Sequence, residues 1–226
     1  MMKKKQTSNA MLISIVLPTF NEEENIDNIL NDIFLETKKI KKYDFEIIVI
    51  DNNSNDNTRN ILKNNLIKYK NLKLIFNLKN FGQLRSPFYA MTQASGEAII
   101  VMSSDYQDPV DLIPKYIKEW ESGNPIVLGR KKNSKENKFF GMFRRLYYRV
   151  LKIISSLNIS IDTTGAGIYD KKIINSLSKI NDPYPYLRGL IFEIVDKVSY
   201  IDFIQPKRNF GKSKNNIFSL IDIGIL

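Results

Sequence analysis

The chain contains neither cysteine nor histidine in 226 residues. Without cysteine there is no disulfide, no thiolate nucleophile and no thiolate metal site, and a reducing compartment suits the protein. Without histidine there is no Ser-His-Asp triad, no imidazole base and no imidazole ligand. Any acid–base or metal chemistry therefore falls to carboxylates, Lys, Tyr and a bound cation. No window reaches the roughly eighteen apolar residues that a membrane span needs. The glycines form neither a G-x-G-x-x-G nor a G-x-x-x-x-G-K-[ST] pattern, which disfavours redox-dinucleotide and ATPase readings.

What is present is enough for one well-cored domain: 43% of the residues are hydrophobic. Thirty-four Lys and Arg against twenty-four Asp and Glu give a formal charge of +10. That balance favours polyanionic partners, whether nucleic acid, an anionic membrane face or phosphorylated small molecules, unless it is a compositional habit. No RNP-like aromatics and no zinc pattern support nucleic acid, so none is expected as a partner. Residues 1–11 read as a mobile basic tail: the apolar stretch that follows alternates with Ser and reaches Pro18 without a small-residue cleavage site.

Hydrophobic periodicity then alternates. "LISIVL" reads as a buried strand, and "NEEENIDNILNDIF" as a helix with Ile26, Ile29, Leu30, Ile33 and Phe34 on one face and acids in its first turn. "FEIIVI", a helix over about 56–67, "LKLIF", a helix over 81–94 and "AIIVM" follow. Such a βαβαβαβ order with continuous apolar strands predicts an α/β fold with a mostly parallel central sheet flanked by helices. Ligands in open α/β sheets bind beyond the carboxyl ends of the strands. The segments there are polar: "PTFNEEEN", "DNNSNDNT", "NLKNFGQLR" and "SSDYQDP". Any one of them is an ordinary turn or helix cap; four at one sheet edge make a site. Asp51, at the tip of the second strand, is placed to accept hydrogen bonds from a base or ribose with Asn53 nearby. Its rival role as a helix cap is better filled by Asp56.

"VMSSDYQDP" gathers Asp105, Gln107 and Asp108 after the fourth strand. This oxygen-rich set suits a hard divalent cation, which keeps several waters and bridges a protein carboxylate to a substrate phosphate. If the strand continues extended, residues 103, 105 and 107 project to one side, and Ser103 sits where a further ligand would be. In the following "DLIPKYIKEW", Ile113, Tyr116, Ile117 and Trp120 read as core.

Taken in order, "IVLPTFNEEENI", "IVIDNNSNDNT", "NFGQ", "SGEAIIVMSSDYQDP" and "KRNFGKSKNN" resemble the family 2 glycosyltransferases of GT-A fold. The branch most similar includes dolichyl-phosphate mannose synthase and bacterial polyprenyl-phosphate glycosyltransferases. The resemblance covers about residues 12–215 as one GT-A domain, with 216–226 as an apolar segment suited to a juxtamembrane position. It implies an inverting transfer from a nucleotide-sugar (UDP- or GDP-sugar) assisted by Mg2+ or Mn2+. It puts Asp105 and Gln107 on the metal, and Ser103 where the family's first Asp would stand, which leaves either looser metal binding or help from a neighbouring group. It also implies that Pro18, Thr19, Glu22, Asp51, Asn53 and Ser104 line the nucleotide, that Gly82 allows close approach, and that Arg208, Ser213 and Lys214 contact phosphate.

On this reading Asp105, Asp108 and Arg130 are the candidate catalytic residues, and Arg85, Arg130 or Lys131 add positive charge near the phosphates. A lipid-phosphate acceptor, with a second pKa of about 6, needs no base. A glycan hydroxyl in cell-surface polysaccharide synthesis would need one, with Asp108, Asp162, Asp170 and Glu193 as candidates. Where lipid-phosphate relatives often read Gly-Asp-Phe-Arg-Leu, this chain reads "TGAGIYD". The basic amphipathic stretch 139–154 is either an interfacial helix or an ordinary core helix with a charged face. The expected location is cytoplasmic, at the inner face of the cell membrane. A nucleotidyltransferase and a non-catalytic binder are the rivals, the first disfavoured by the missing Gly-rich loop after "IVLP".

Overall fold

A computed structural model describes residues 10–132, 163–180, 182, 185–195 and 197–206. The basic tail up to residue 9, the amphipathic stretch 139–154, Asp162, Arg208, Ser213, Lys214 and the segment 216–226 lie outside the described residues.

The described chain runs β1 (Met11–Thr19), α1 (Ile26–Lys39), β2 (Tyr43–Asp51), α2 (Thr58–Lys68), β3 (Leu72–Phe76), α3 (Gly82–Thr92), β4 (Ala98–Val101) and α4 (Leu112–Glu121). It continues with β5 (Ile126–Lys131), β6 (Thr163–Asp170), α5 (Lys171–Leu177), α6 (Leu187–Ile194) and β7 (Ser199–Phe203). The seven strands form one sheet in the order β3-β2-β1-β4-β6-β5-β7. Neighbours β3, β2, β1 and β4 are parallel, β6 is antiparallel to both β4 and β5, and β7 is parallel to β5. The carboxyl ends of β1, β2, β3, β4, β5 and β7 therefore open on the same edge.

Alternation along the strands feeds two apolar layers. Ile13, Ile15, Ile47, Val49, Ile100 and Val127 pack with α1, α2 and α4, through Ile29, Ile33, Leu62, Ile113 and Tyr116. Val16, Ile48, Ile50, Ile99 and Leu128 pack with α3, α5 and α6, through Ala90, Met91, Ile174 and Ile191. Burial on both faces is what the uninterrupted apolar runs require. Phe34 of α1 stacks on Tyr69 at the end of α2, with ring centroids 3.6 Å apart.

One polar residue inside β2 has a full set of partners. Glu46 accepts from Ser14 Oγ at 2.5 Å, from the Ser95 amide at 2.6 Å and from Lys73 Nζ at 2.5 Å. Ser14 Oγ in turn accepts from the Gly96 amide at 2.8 Å, tying the turn before β4 to β1 and β2. A Cβ on Gly96 would meet Ser14 N at 2.7 Å, so only glycine lets the turn come this close.

Candidate active site

The first two polar loops are sewn to each other. Asn21 donates its amide to Ser54 Oγ at 2.7 Å and accepts from the Asn55 amide at 2.7 Å. The Glu22 amide donates to Thr58 Oγ1 at 2.9 Å, and Glu23 accepts from the Asn57 amide at 2.9 Å. Asn21 and Asn53 adopt left-handed backbones, φ 53° and 67°, a conformation asparagine tolerates better than other non-glycine residues. Glu22 is buried and accepts from Asn25 Nδ2 at 2.7 Å. Pro18 offers its carbonyl to Ser104 Oγ at 3.0 Å, and the Thr19 carbonyl takes the Asn52 amide at 2.8 Å.

Asp51 is completely buried, holding Arg59 Nε and accepting the Ser54 amide at 3.2 Å. Arg59 also donates to the Asn77 carbonyl at 2.6 Å. Beside it, Asn52 accepts from Asn77 Nδ2 and the Phe81 amide and donates to Asn80 Oδ1, which itself takes the Gly82 amide. This amide network shapes the loop after β3. Gly82, at φ 83°, has open space where a Cβ would be, and Arg85 donates to the Phe81 carbonyl at 3.2 Å. Arg59, Asn52, Asn77 and Asn80 went unremarked in the sequence, where amides in loops look like ordinary turn formers.

The acidic segment does not continue as an extended strand. β4 ends at Val101, and Tyr106 reverses the chain at φ 64°. Ser103 is therefore not simply the first member of a 103/105/107 row. Its amide donates to Asp108 Oδ2 at 2.9 Å and its Oγ accepts the Asp108 amide at 3.1 Å, a reciprocal clamp that closes the turn. Asp105 Oδ1 accepts the Gln107 amide at 3.1 Å, and Gln107 Oε1 accepts from Gln205 Nε2, just beyond β7, at 3.0 Å. Asp108 is 3% exposed, and its Oδ1 has no hydrogen-bond partner among the described residues. Burial pushes its carboxyl above the usual aspartate range, against the two bonds from Ser103; nearby Asp105 pushes the same way and Lys131 opposes.

The cations of β5 divide between the two faces of the sheet. Val127 belongs to the layer of α4, Leu128 to the other, and a Cβ on Gly129 would meet Tyr116 Oη of α4 at 2.5 Å. Arg130 then turns away: it donates to Asp202 Oδ1 at 2.6 Å and lies 5.1 Å from the centre of the Tyr200 ring. Asp202 also pairs with Lys132 at 3.0 Å, and the bonds from Arg130 and Lys132 hold its pKa down at about 2. Lys131 pairs in register with Phe203, which belongs to the α4 layer, and so falls on the side of the acidic turn.

Of the candidate bases for a hydroxyl acceptor, Asp170 sits at the opposite edge. It accepts from the Lys172 amide to cap α5 and from Trp120 Nε1 at 3.3 Å. There it borders a cleft of about 400 Å³ with Met11, Lys42, Tyr43, Trp120 and Glu121. Its size does not make this cleft the active site, because Lys42 and Tyr43 both donate to Glu121, so its polar groups satisfy one another. Glu193 is exposed on α6, in the layer away from the acidic turn.

A seven-stranded sheet with one reversed strand and an acidic turn beyond β4 defines a GT-A fold. Glucosyl-3-phosphoglycerate synthase of Mycobacterium tuberculosis, solved with Mn2+, UDP and glucosyl-3-phosphoglycerate, shares it at a TM-score of 0.64 and 17% identity, over 95% of this chain and 76% of that one. The profile of glycosyl transferase family 2 matches residues 14–178, and the chain belongs to that family. It is 26% identical over 216 residues to the uncharacterized glycosyltransferase YkcC of Bacillus subtilis, covering 94% of this chain and 66% of that protein. It is 25% identical over 216 residues to the prophage bactoprenol glucosyl transferase homolog of Escherichia coli, covering 95% of this chain and 70% of that one. The chain thus spans about two thirds of the length of these relatives.

Proposed function

We propose that the protein transfers a sugar from a nucleoside-diphosphate sugar to a lipid phosphate of the polyprenyl type, with inversion and with the help of a divalent cation. The observation that carries this reading is the acidic turn: Asp105 and Gln107 stand on a clamped reversal at the strand edge, with Lys131 on the same side. One family relationship and one likeness of fold support it. One relative is named for glucosyl transfer to bactoprenol, and a solved neighbour holds Mn2+ with UDP.

The donor set fits a shared cation better than a protein-enclosed one. Among the described residues no group of three or more Asp, Glu, His or Cys comes together as a cage. One carboxylate and one carboxamide are what remain for an ion that keeps water and takes the rest of its oxygens from a diphosphate. Asp105 and Gln107 would hold it, and when bound it would supply Lewis-acid stabilisation of the departing diphosphate.

The remaining work belongs to the chain. Lys131 adds a fixed positive charge beside the phosphates, and Arg85 adds another from α3. Asn53 is the partly exposed member of the wall for the nucleoside, with buried Thr19 and Glu22 behind it. Asp51, fully buried and committed to Arg59 and the Ser54 amide, supports that wall and does not meet base or ribose as the sequence suggested. Pro18 and Ser104 link the wall to the acidic turn, and Gly82 leaves room for close approach. In the reaction the bond from the anomeric carbon to the diphosphate oxygen breaks, its electron pair leaving with the diphosphate. An acceptor phosphate oxygen forms the new bond from the opposite face. That oxygen is already anionic near neutral pH, its second pKa being about 6, so no proton has to be removed. Among the described candidate bases, Asp170 lies at the far edge, Glu193 sits in the other layer and Asp108 is buried in the Ser103 clamp, which supports this acceptor over a hydroxyl.

No described helix is long and apolar enough to cross a membrane. Work at a membrane surface is inferred from the acceptor. The test is calorimetry with UDP-, GDP- and CDP-sugars, with and without Mg2+ or Mn2+, followed by transfer to a polyprenyl phosphate. Donor binding that requires the cation and is lost in Asp105→Asn is expected. Unchanged turnover in Asp105→Asn would overturn the reading.

A further inference from the structure

Tyr106 lies between the two residues assigned to the cation, and its φ of 64° places a bulky side chain in the left-handed region. Such a residue is an outlier unless its surroundings hold it there. Two features do so. The ring packs against the apolar layer formed by α1, α2 and α4, and the hydroxyl donates to Asp32 Oδ2 on α1 at 2.8 Å.

The reversal has a geometric result. An extended chain could not bring the Gln107 amide to Asp105 Oδ1 two residues earlier while the Asp108 amide reaches Ser103 Oγ five residues back. Both bonds need the bend at residue 106. We infer that Tyr106 is a positioning residue for the cation-holding turn, anchored through Asp32, so that helix α1 fixes the shape in which Asp105 and Gln107 are presented. The inference rests on the donor reading above only for what the turn holds. The anchoring itself is a property of the metal-free chain.

The full chain carrying Tyr106→Phe, Asp32→Ala or both tests it. Tyr106→Phe keeps the ring and its packing and removes only the tether, while Asp32→Ala removes the other end at a partly exposed position. Amide hydrogen exchange without metal is expected to accelerate about tenfold at Gln107 and Asp108 in each single variant, the loss of one charge-assisted bond. Mn2+ binding in the presence of UDP, measured by calorimetry, is expected to weaken by a similar factor. The double variant should be no worse than either single one, because both remove the same bond. Unchanged exchange in both single variants, or losses that simply add, would overturn the inference. Failure of the donor reading is distinguishable, since it would appear as wild-type protein that binds neither Mn2+ nor UDP, while the exchange rates would still decide the role of Tyr106.

Discussion

Replacing Ser103 separates two accounts of the acidic turn. If Ser103 marks a vacated ligand position, Ser103→Asp should strengthen the cation site and Ser103→Ala should do little. If Ser103 is a clamp, both should weaken the fold. In Ser103→Ala the Asp108 amide loses its 3.1 Å acceptor next to a buried carboxylate. An unpaired donor of that kind costs about 1–2 kcal/mol. For a chain of this size each kcal/mol lowers the melting temperature by about 2–4 °C, so a fall of about 2–8 °C is expected. Ser103→Asp sets a new carboxylate against Asp108, whose own carboxyl is already pushed up by burial and by Asp105. Two like charges at about 4 Å and an effective dielectric near 20 repel by about 4 kcal/mol, so this variant should melt lower still. Differential scanning calorimetry gives the stability, and a Mn2+ titration in the presence of UDP gives the affinity. The clamp is refuted if Ser103→Ala melts with the wild type while Ser103→Asp binds Mn2+ more tightly.

Glu46→Ala should lower stability by about 1–2 kcal/mol in urea unfolding at neutral pH, from the buried Ser14 hydroxyl left without its acceptor, with exposed Ser95 and half-exposed Lys73 adding little. Burial pushes the Glu46 carboxyl up, but its bonds to Lys73, Ser14 and Ser95 together bring it below the ordinary 4.5. The contribution is therefore complete above that value and fades as the pH falls through the lower folded-state pKa, so the gap between variant and wild type must narrow on acidification. Lys131→Met should weaken UDP binding about tenfold by calorimetry. Arg130→Met should leave UDP binding nearly intact while the pKa of Asp202, followed by NMR, rises from about 2 toward 3.8; equal losses of UDP affinity in the two variants would contradict the division of β5 between faces.

The first half of the fold was legible because its strands are continuous apolar runs and its helices carry a clear stripe. Ile26, Ile29, Leu30, Ile33 and Phe34 all fall in the buried face of α1, as their spacing requires. The antiparallel β6 was not legible. Six of the eight residues of "TTGAGIYD" are small or polar, and its pairing depends on Gly167 passing close to Val127, where a Cβ would meet the carbonyl oxygen at 2.2 Å. Asp105 and Gln107 stood out as candidates by residue type alone. The roles of their supports did not, since Tyr106 reaches Asp32 across 74 positions and Gln107 reaches Gln205 across 98. Nor does any local pattern say that Arg130 answers to Asp202 while Lys131 faces the turn. Strand alternation places the two cations on opposite faces, but which face lies over the acidic turn depends on tertiary packing.

An edge poor in glycine and empty of histidine can still present sharply turned polar loops, because two of its left-handed positions, 21 and 106, carry side chains that bond. A glycine at residue 21 or 53 would accept the same φ with less strain, but a glycine at 21 could not accept the Asn55 amide. At residue 106 the trade is steeper, with a strained aromatic whose hydroxyl ties the turn to α1. Each substitution of a bonding residue for glycine gives up backbone freedom that a loop would otherwise lose on meeting its ligand. The ordering entropy is then met during folding, by contacts within the chain, and binding at this edge has less left to organise.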